Sequence, residues 1–81
     1  LGLFIAKKYY ELKDYQKAYQ CAFLINEIDN KIEESWIIFI KSMVKLGQKD
    51  KAIKILKQYI NHSNSQQAKI LLNEIISGRF R

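Results

Sequence analysis

The side chains that could do chemistry are few in this 81-residue chain, and they lie far apart. The single cysteine, Cys21, has no partner for a disulfide, and the single histidine, His62, is too isolated to complete the ligand set that zinc needs. Glu33 and Glu34 are adjacent, and neighbours on a helix point in different directions, so they do not form a catalytic carboxylate pair. No glycine-rich phosphate loop is present. We therefore expect a non-enzymatic protein without a metal or cofactor.

The composition indicates a small helical domain. Apolar residues make up 48% of the chain, and there are three glycines and no proline. This scarcity of turn residues disfavours a sandwich or barrel of short strands and favours helices joined by brief loops. No signal sequence and no apolar span of about 18 residues is present, so we expect no membrane crossing. The compartment stays open, with a soluble cytoplasmic domain favoured, and the start at Leu-Gly-Leu suggests a fragment of a longer protein.

The net charge of +6 suggests acidic partners of several kinds. A basic domain can bind nucleic acid, anionic lipid or an acidic protein. The charge comes from twelve lysines and only two arginines, whereas a dedicated phosphate-binding protein would carry more arginine, which binds phosphate through two parallel hydrogen bonds. The lysines thus indicate a compositional bias more than a nucleic-acid interface.

Similar residues recur at a distance of 34 positions. The matching pairs include Leu12 with Leu46, Lys17 with Lys51 and Ala18 with Ala52. The segments that begin at Asn30 and Asn64 both read Asn-x-x-Glu/Gln, a capping pattern that satisfies two free N–H groups at a helix start. Internal repetition with this period predicts two copies of one helix–turn–helix unit.

Apolar residues at helical spacing predict five helices, at about residues 2–12, 15–28, 33–46, 50–61 and 66–77. The short loops require successive helices to pack antiparallel. Gly47 follows the third helix, where a left-handed residue ends it, and Lys13 takes the equivalent place after the first. Ala52 is small because two helices cross closely there. The predicted buried stripes are Ala18, Ala22, Ile25 and Ile28; Trp36, Phe39, Ile40 and Met43; Ala52, Leu56, Tyr59 and Ile60; and Ala68, Leu71, Leu72 and Ile75.

This period and these residues together resemble the tetratricopeptide repeat. The matching residues are Ile5, Ala6, Tyr9, Asp14, Tyr15 and Ala18 in the first unit, and Trp36, Phe39, Gly47, Ala52 and Leu56 in the second. Ile40 and Met43 depart from the family pattern, which prefers a small residue and a tyrosine there. The resemblance implies an all-α, right-handed superhelical α-solenoid of antiparallel helix pairs. We expect one domain over residues 1–81, with repeats at about 1–30 and 31–64 and a closing helix at about 65–77.

The resemblance also implies a protein-interaction scaffold that binds a peptide or partner protein in a groove lined by the first helix of each repeat. The residues that fall there are Leu3, Lys7, Tyr10, Glu11, Glu34, Ile37, Lys41, Val44 and Lys45, with Ala68, Leu71 and Ile75 from the closing helix. Ile37 and Val44 stand beside lysines at the same spacing, so a partner with acidic and apolar side chains would fit.

Two other functions remain open. Apolar residues near the N-terminal end, Leu1, Leu3 and Phe4, would serve self-association or assembly within a larger protein, because helical repeats rely on their neighbours for stability. Nucleic-acid binding through the lysines ranks third, because they are spread over several helices.

Overall fold

A computed structural model describes residues 2–81, which form five α-helices and no strand. The helices are α1 (Gly2–Glu11), α2 (Tyr15–Ile28), α3 (Glu33–Lys45), α4 (Lys49–Ser63) and α5 (Gln66–Ile76). The predicted all-α class is confirmed, and every predicted helix end lies within two residues of the observed one. Leu1, which the assembly hypothesis invoked, lies outside the described residues.

Successive helices pack against one another in antiparallel order, and α1 also contacts α3. Lys7 Nζ in α1 lies 3.1 Å from Glu34 Oε2 in α3. Farther along both helices, Lys41 Nζ lies 6.0 Å from the centre of the Tyr10 ring. Because the residue numbers rise together, α1 and α3 run parallel, side by side.

Helix α5 runs in the same direction as α3. The Ser65 hydroxyl, at the start of α5, donates to the carboxylate of Glu33 at the start of α3. At the other end, Lys45, the last residue of α3, has its Nζ 5.3 Å from the centre of the ring of Phe80, which follows α5. The odd-numbered helices therefore point one way, and α2 and α4 return the other way.

The core is centred on α3, which contacts α1, α2 and α4. All five alanines of the chain are fully buried. The close helix crossing at Ala52 stays a prediction. The buried apolar residues are Ala6, Ala18, Ala22, Ile38, Phe39, Ile40, Met43, Ala52, Leu56, Ala68, Leu71 and Ile75.

The prediction of the buried stripes is wrong for one residue. Ile28, assigned to the stripe of α2, is 87% exposed. Each residue turns a helix by about 100°, which places Ile28 about 100° from the line through Ala18 and Ala22. Asn26 lies close to that line and is buried instead, where its Oδ1 accepts a hydrogen bond of 2.5 Å from the Ser35 hydroxyl.

The predicted asparagine caps are also wrong. Helix α3 begins after Ile32, whose side chain makes no cap bond, and α5 begins after Ser65, whose Oγ accepts from the Ala68 N–H at 3.1 Å. Asn64 instead ends α4 in the left-handed conformation, with φ of 55°. Asparagine tolerates this conformation better than most residues, so it serves here to stop a helix.

Helices α1 and α3 end in the same left-handed turn. Gly47 has φ of 84°; its N–H donates to the Val44 carbonyl, and the next N–H donates to the Met43 carbonyl. Lys13, 34 residues earlier, has φ of 63° and closes α1 through the equivalent bonds. This is the closure that glycine favours, so the lysine version carries a backbone strain that the glycine version lacks.

We expect Lys13→Gly to raise the free energy of unfolding by about 0.5–1 kcal/mol, because it relieves the left-handed strain that a side chain imposes. Urea unfolding measures the change. Lys54→Gly is the matched control: it removes the same charge from an exposed position inside α4, where glycine costs about 1 kcal/mol. A loss of stability in Lys13→Gly would contradict the strain at this turn.

Candidate functional site

Most of the predicted groove residues surround two adjoining clefts on the face formed by α1, α3 and α5. The first cleft, of about 250 Å³, is lined by Lys7, Tyr10, Glu11, Glu34, Ile37, Ile38, Lys41 and Gln67. The second, of about 180 Å³, is lined by Ile37, Lys41, Gln67, Ile70, Leu71 and Glu74. Both clefts share Ile37, Lys41 and Gln67, so they form one continuous track, which we call the α1/α3/α5 groove.

The remaining predicted residues lie outside these clefts or beneath them. Leu3 and Val44 are half-buried and pack against the core, and Lys45 is exposed at the end of α3. Leu71 lines the second cleft with only 3% of its surface exposed, so it forms the floor. Ala68 and Ile75 are buried in the core, so they offer no surface to a partner.

Sequence reasoning missed three residues that α5 contributes to the groove: Gln67, Ile70 and Glu74. Their i, i+3, i+7 spacing is itself a helical stripe, next to the buried stripe of α5. The apolar pattern drew attention to the buried stripe, whereas the accessible groove surface lies one step around the helix.

The lysines that line the groove, Lys7 and Lys41, are not equivalent to each other, and Lys45 lies beside the groove at the end of α3. Lys7 forms an ion pair with Glu34, and both side chains are about half exposed. Within residues 2–81, no carboxylate lies within ion-pair distance of Lys41 or Lys45. Their ammonium groups lie instead over aromatic rings: Lys41 over Tyr10, and Lys45 between other rings. The positive charge available to an acidic ligand is therefore at the C-terminal half of α3.

Aromatic rings hold these two lysines at the end of the groove. Lys45 Nζ lies 5.7 Å from the centre of the Tyr15 ring and 5.3 Å from that of Phe80. Tyr10 meets Tyr15 edge to face, with ring centres 5.2 Å apart. Attraction between a cation and a ring face positions each ammonium group and leaves its charge uncompensated. The arrangement can bind a carboxylate beside apolar and aromatic surface.

Burial raises the pKa of Tyr10 to about 12, with a further contribution from the charge of a nearby Tyr15 phenolate. In the unfolded chain this hydroxyl ionises near pH 10. The raised pKa means that the neutral phenol favours the folded state, and that this stabilisation is lost as the pH rises from about 10 to about 12.

We expect Tyr10→Phe to make stability less sensitive to pH between about 10 and 12, because it removes the group whose ionisation opposes folding there. Thermal unfolding at several alkaline pH values measures this, and the absorbance of tyrosinate should lose an ionisation step near pH 12. Tyr59→Phe is the control of equal chemistry outside the groove. If Tyr10→Phe left the alkaline titration unchanged, the buried position of this hydroxyl would be contradicted.

No group of three or more histidine, cysteine, aspartate or glutamate side chains in residues 2–81 is arranged to hold a metal ion. None of the described helices is long and apolar enough to cross a membrane.

Comparison with known protein families, with characterised proteins and with solved structures found no match. The resemblance to tetratricopeptide repeats therefore stays a prediction from the sequence, and the structure shows a compact all-α domain of five helices.

Proposed function

We propose that this chain is a non-catalytic protein-interaction module of the tetratricopeptide type, which binds a peptide or partner protein along the α1/α3/α5 groove. The observation that carries the proposal is the continuous track formed by two clefts that share Ile37 and Lys41. Three parallel helices supply the track, so a partner can contact all of them at once. In such grooves a bound segment buries apolar anchors and meets charged side chains at the rim.

The helix arrangement supports the repeat interpretation. Helices α2 and α4 begin 34 residues apart, at Tyr15 and Lys49, and the left-handed turns before them are also 34 residues apart, at Lys13 and Gly47. Each turn joins two antiparallel helices. Two equivalent pairs followed by α5 give the order expected for two repeats and a closing helix.

The charges of the groove refine the expected ligand. Lys41 and Lys45 are the cations free to meet a carboxylate, whereas Lys7 is already paired with Glu34. Ile37 and Ile70 supply the neighbouring apolar surface. We expect a peptide whose acidic side chain lies near the end of α3 and whose apolar side chains lie along the track.

Selection of peptides from a random display library, with the folded protein as bait, tests this function. Peptides with acidic and apolar positions should be enriched, and Lys41→Glu should weaken the selected peptide about tenfold or more, because it replaces attraction by repulsion. Lys57→Glu makes the same charge change on the exposed face of α4 and should leave binding within about twofold. Equal loss in both variants, or the absence of any enriched pattern, would contradict groove binding.

A double variant that combines Lys7→Glu with Lys41→Glu distinguishes an effect on binding from an effect on folding. Lys7→Glu places a second carboxylate opposite Glu34 on an exposed surface, where an ion pair contributes only about 0–1 kcal/mol. The double variant should therefore stay folded by circular dichroism while an acidic peptide no longer binds. Unfolding of the double variant would show that these lysines are structural.

Self-association is the second candidate, and exposed apolar residues on α1, on the turn after it and on α2 favour it. Those residues are Phe4, Ile5, Leu12, Leu24 and Ile28, with exposed fractions of 59%, 40%, 74%, 60% and 87%. Where such residues form a large contiguous apolar patch, that patch often belongs to an interface. Analytical ultracentrifugation decides: a concentration-dependent dimer abolished by Leu24→Lys would support self-association, and a monomer at all concentrations would contradict it.

A further inference from the structure

A third cleft, separate from the two clefts of the groove, lies between the loop that precedes α3 and helix α4. Its volume is about 570 Å³, more than twice that of either cleft of the groove. Its lining residues are Asn30, Lys31, Trp36, Ile55, Gln58, Tyr59, His62 and Ser63. None of these residues lines the α1/α3/α5 groove, so this cleft is a separate surface.

One wall of the cleft is aromatic. The rings of Trp36 and Tyr59 stack with their centres 5.3 Å apart and their planes inclined by 25°. The indole N–H of Trp36 donates to the Asn30 carbonyl at 2.9 Å, which fixes the ring in place. Both residues are half-buried, so each ring leaves part of its surface accessible beside Ile55. A rigid apolar wall of this kind binds planar groups by stacking.

The polar groups around the cleft favour an anion. Lys31 and His62 are its basic residues, and no aspartate or glutamate is among the described residues that line it. In residues 2–81 the side chains of Lys31 and His62 make no ion pair. The side-chain amides of Asn30 and Gln58 make no hydrogen bond in this part of the chain. Two donors of the lining are already occupied: the Ser63 hydroxyl donates to the Tyr59 carbonyl at 2.8 Å, and the Trp36 indole N–H donates to the Asn30 carbonyl. Several donors are therefore free to bind negative oxygens.

We propose that this cleft binds an aromatic anion of about the size of a mononucleotide. The planar ring lies against the wall formed by Trp36 and Tyr59, and the phosphate or carboxylate is bound at Lys31 and His62. The volume of the cleft falls within the range of about 300–1,000 Å³ that is usual for small-molecule sites. A ring and an anion are both required, because the wall offers only stacking and the two basic residues offer only charge and hydrogen bonds.

Adenosine monophosphate, adenosine and inorganic phosphate are the three probes that test the requirement. Trp36 is the only tryptophan of the chain, so its fluorescence reports directly on the cleft, and calorimetry gives the dissociation constants. We expect the monophosphate to bind at least about tenfold more tightly than either adenosine or phosphate, since charge-assisted hydrogen bonds add to stacking. If phosphate alone bound as tightly as the monophosphate, the site would be only diffuse positive charge. If adenosine bound as tightly as the monophosphate, the basic residues would have no role. Either result overturns the proposal.

Variants assign the site on the protein. Lys31→Gln and His62→Gln should each weaken the monophosphate about tenfold and leave adenosine unchanged, whereas Lys57→Gln, on α4 outside the cleft, should leave both unchanged. Loss of the monophosphate in the Lys57 variant to the same extent would contradict a defined site. A single-stranded oligoadenylate identifies the source of the ligand: equal affinity per nucleotide indicates a free nucleotide, and tighter binding indicates a nucleotide within a nucleic acid that also contacts the lysines of α4.

Discussion

Ile40→Ala is expected to lower the free energy of unfolding by about 2–5 kcal/mol. Ile40 is fully buried in the middle of α3, the helix that contacts α1, α2 and α4. Replacing it by alanine leaves a cavity and also removes the transfer free energy of the lost methyl groups. A domain of this size has a total stability of roughly 5–10 kcal/mol, so this single substitution is expected to remove a large share of it.

This change also tests how far the resemblance to tetratricopeptide repeats extends into the packing. The family prefers a small residue at this position, and an arrangement of helices suited to that residue would tolerate alanine. Ile70→Ala is the matched control, because Ile70 is 52% exposed on α5 and alanine favours helix formation. Urea unfolding of both variants measures the difference. A loss below about 1 kcal/mol in Ile40→Ala would contradict the tight packing around this side chain.

The second large effect is expected from Ala52→Leu, which should cost about 1–3 kcal/mol by overpacking. Ala52 is fully buried in α4 and belongs to the apolar core. A leucine there displaces its neighbours or takes a strained rotamer.

Lys51→Leu is the control for Ala52→Leu. It adds the same side chain to the adjacent residue of α4, which is exposed, and should change stability by no more than about 0.5 kcal/mol. Thermal unfolding of the two variants under the same conditions gives the comparison. A loss below about half of the expected minimum in Ala52→Leu would show that the helices do not cross closely at this site.

The helices could be predicted from the sequence because their strongest signals are local. Apolar spacing fixed the spans of all five within two residues, and Gly47 marked a left-handed helix end. The asparagine pattern failed for a physical reason: the same side chain favours a helix start and the left-handed conformation that ends a helix. At Asn64 the second preference prevailed, and Ser65 supplied the cap. The sequence pattern around an asparagine does not by itself show whether that residue caps the next helix or ends the preceding one.

The candidate sites depend on contacts between helices, which the sequence shows less clearly. The ion pair of Lys7 with Glu34 joins residues 27 positions apart, and it separates a paired lysine from the free one at position 41. Trp36 and Tyr59 were predicted as buried residues, yet their stack borders an open cleft. Only the arrangement of the preceding loop and α4 leaves that space, and apolar periodicity carries no information about it.

The most direct test of groove binding is a map of amide chemical-shift changes in the labelled chain when a selected peptide binds. The proposed function predicts that the changes concentrate on α1, α3 and α5, with the largest at Tyr10, Ile37 and Lys41, and that they disappear in Lys41→Glu. Changes confined to the cleft at Trp36 and Tyr59, or to the exposed apolar residues of α1 and α2, would contradict the α1/α3/α5 groove as the binding site.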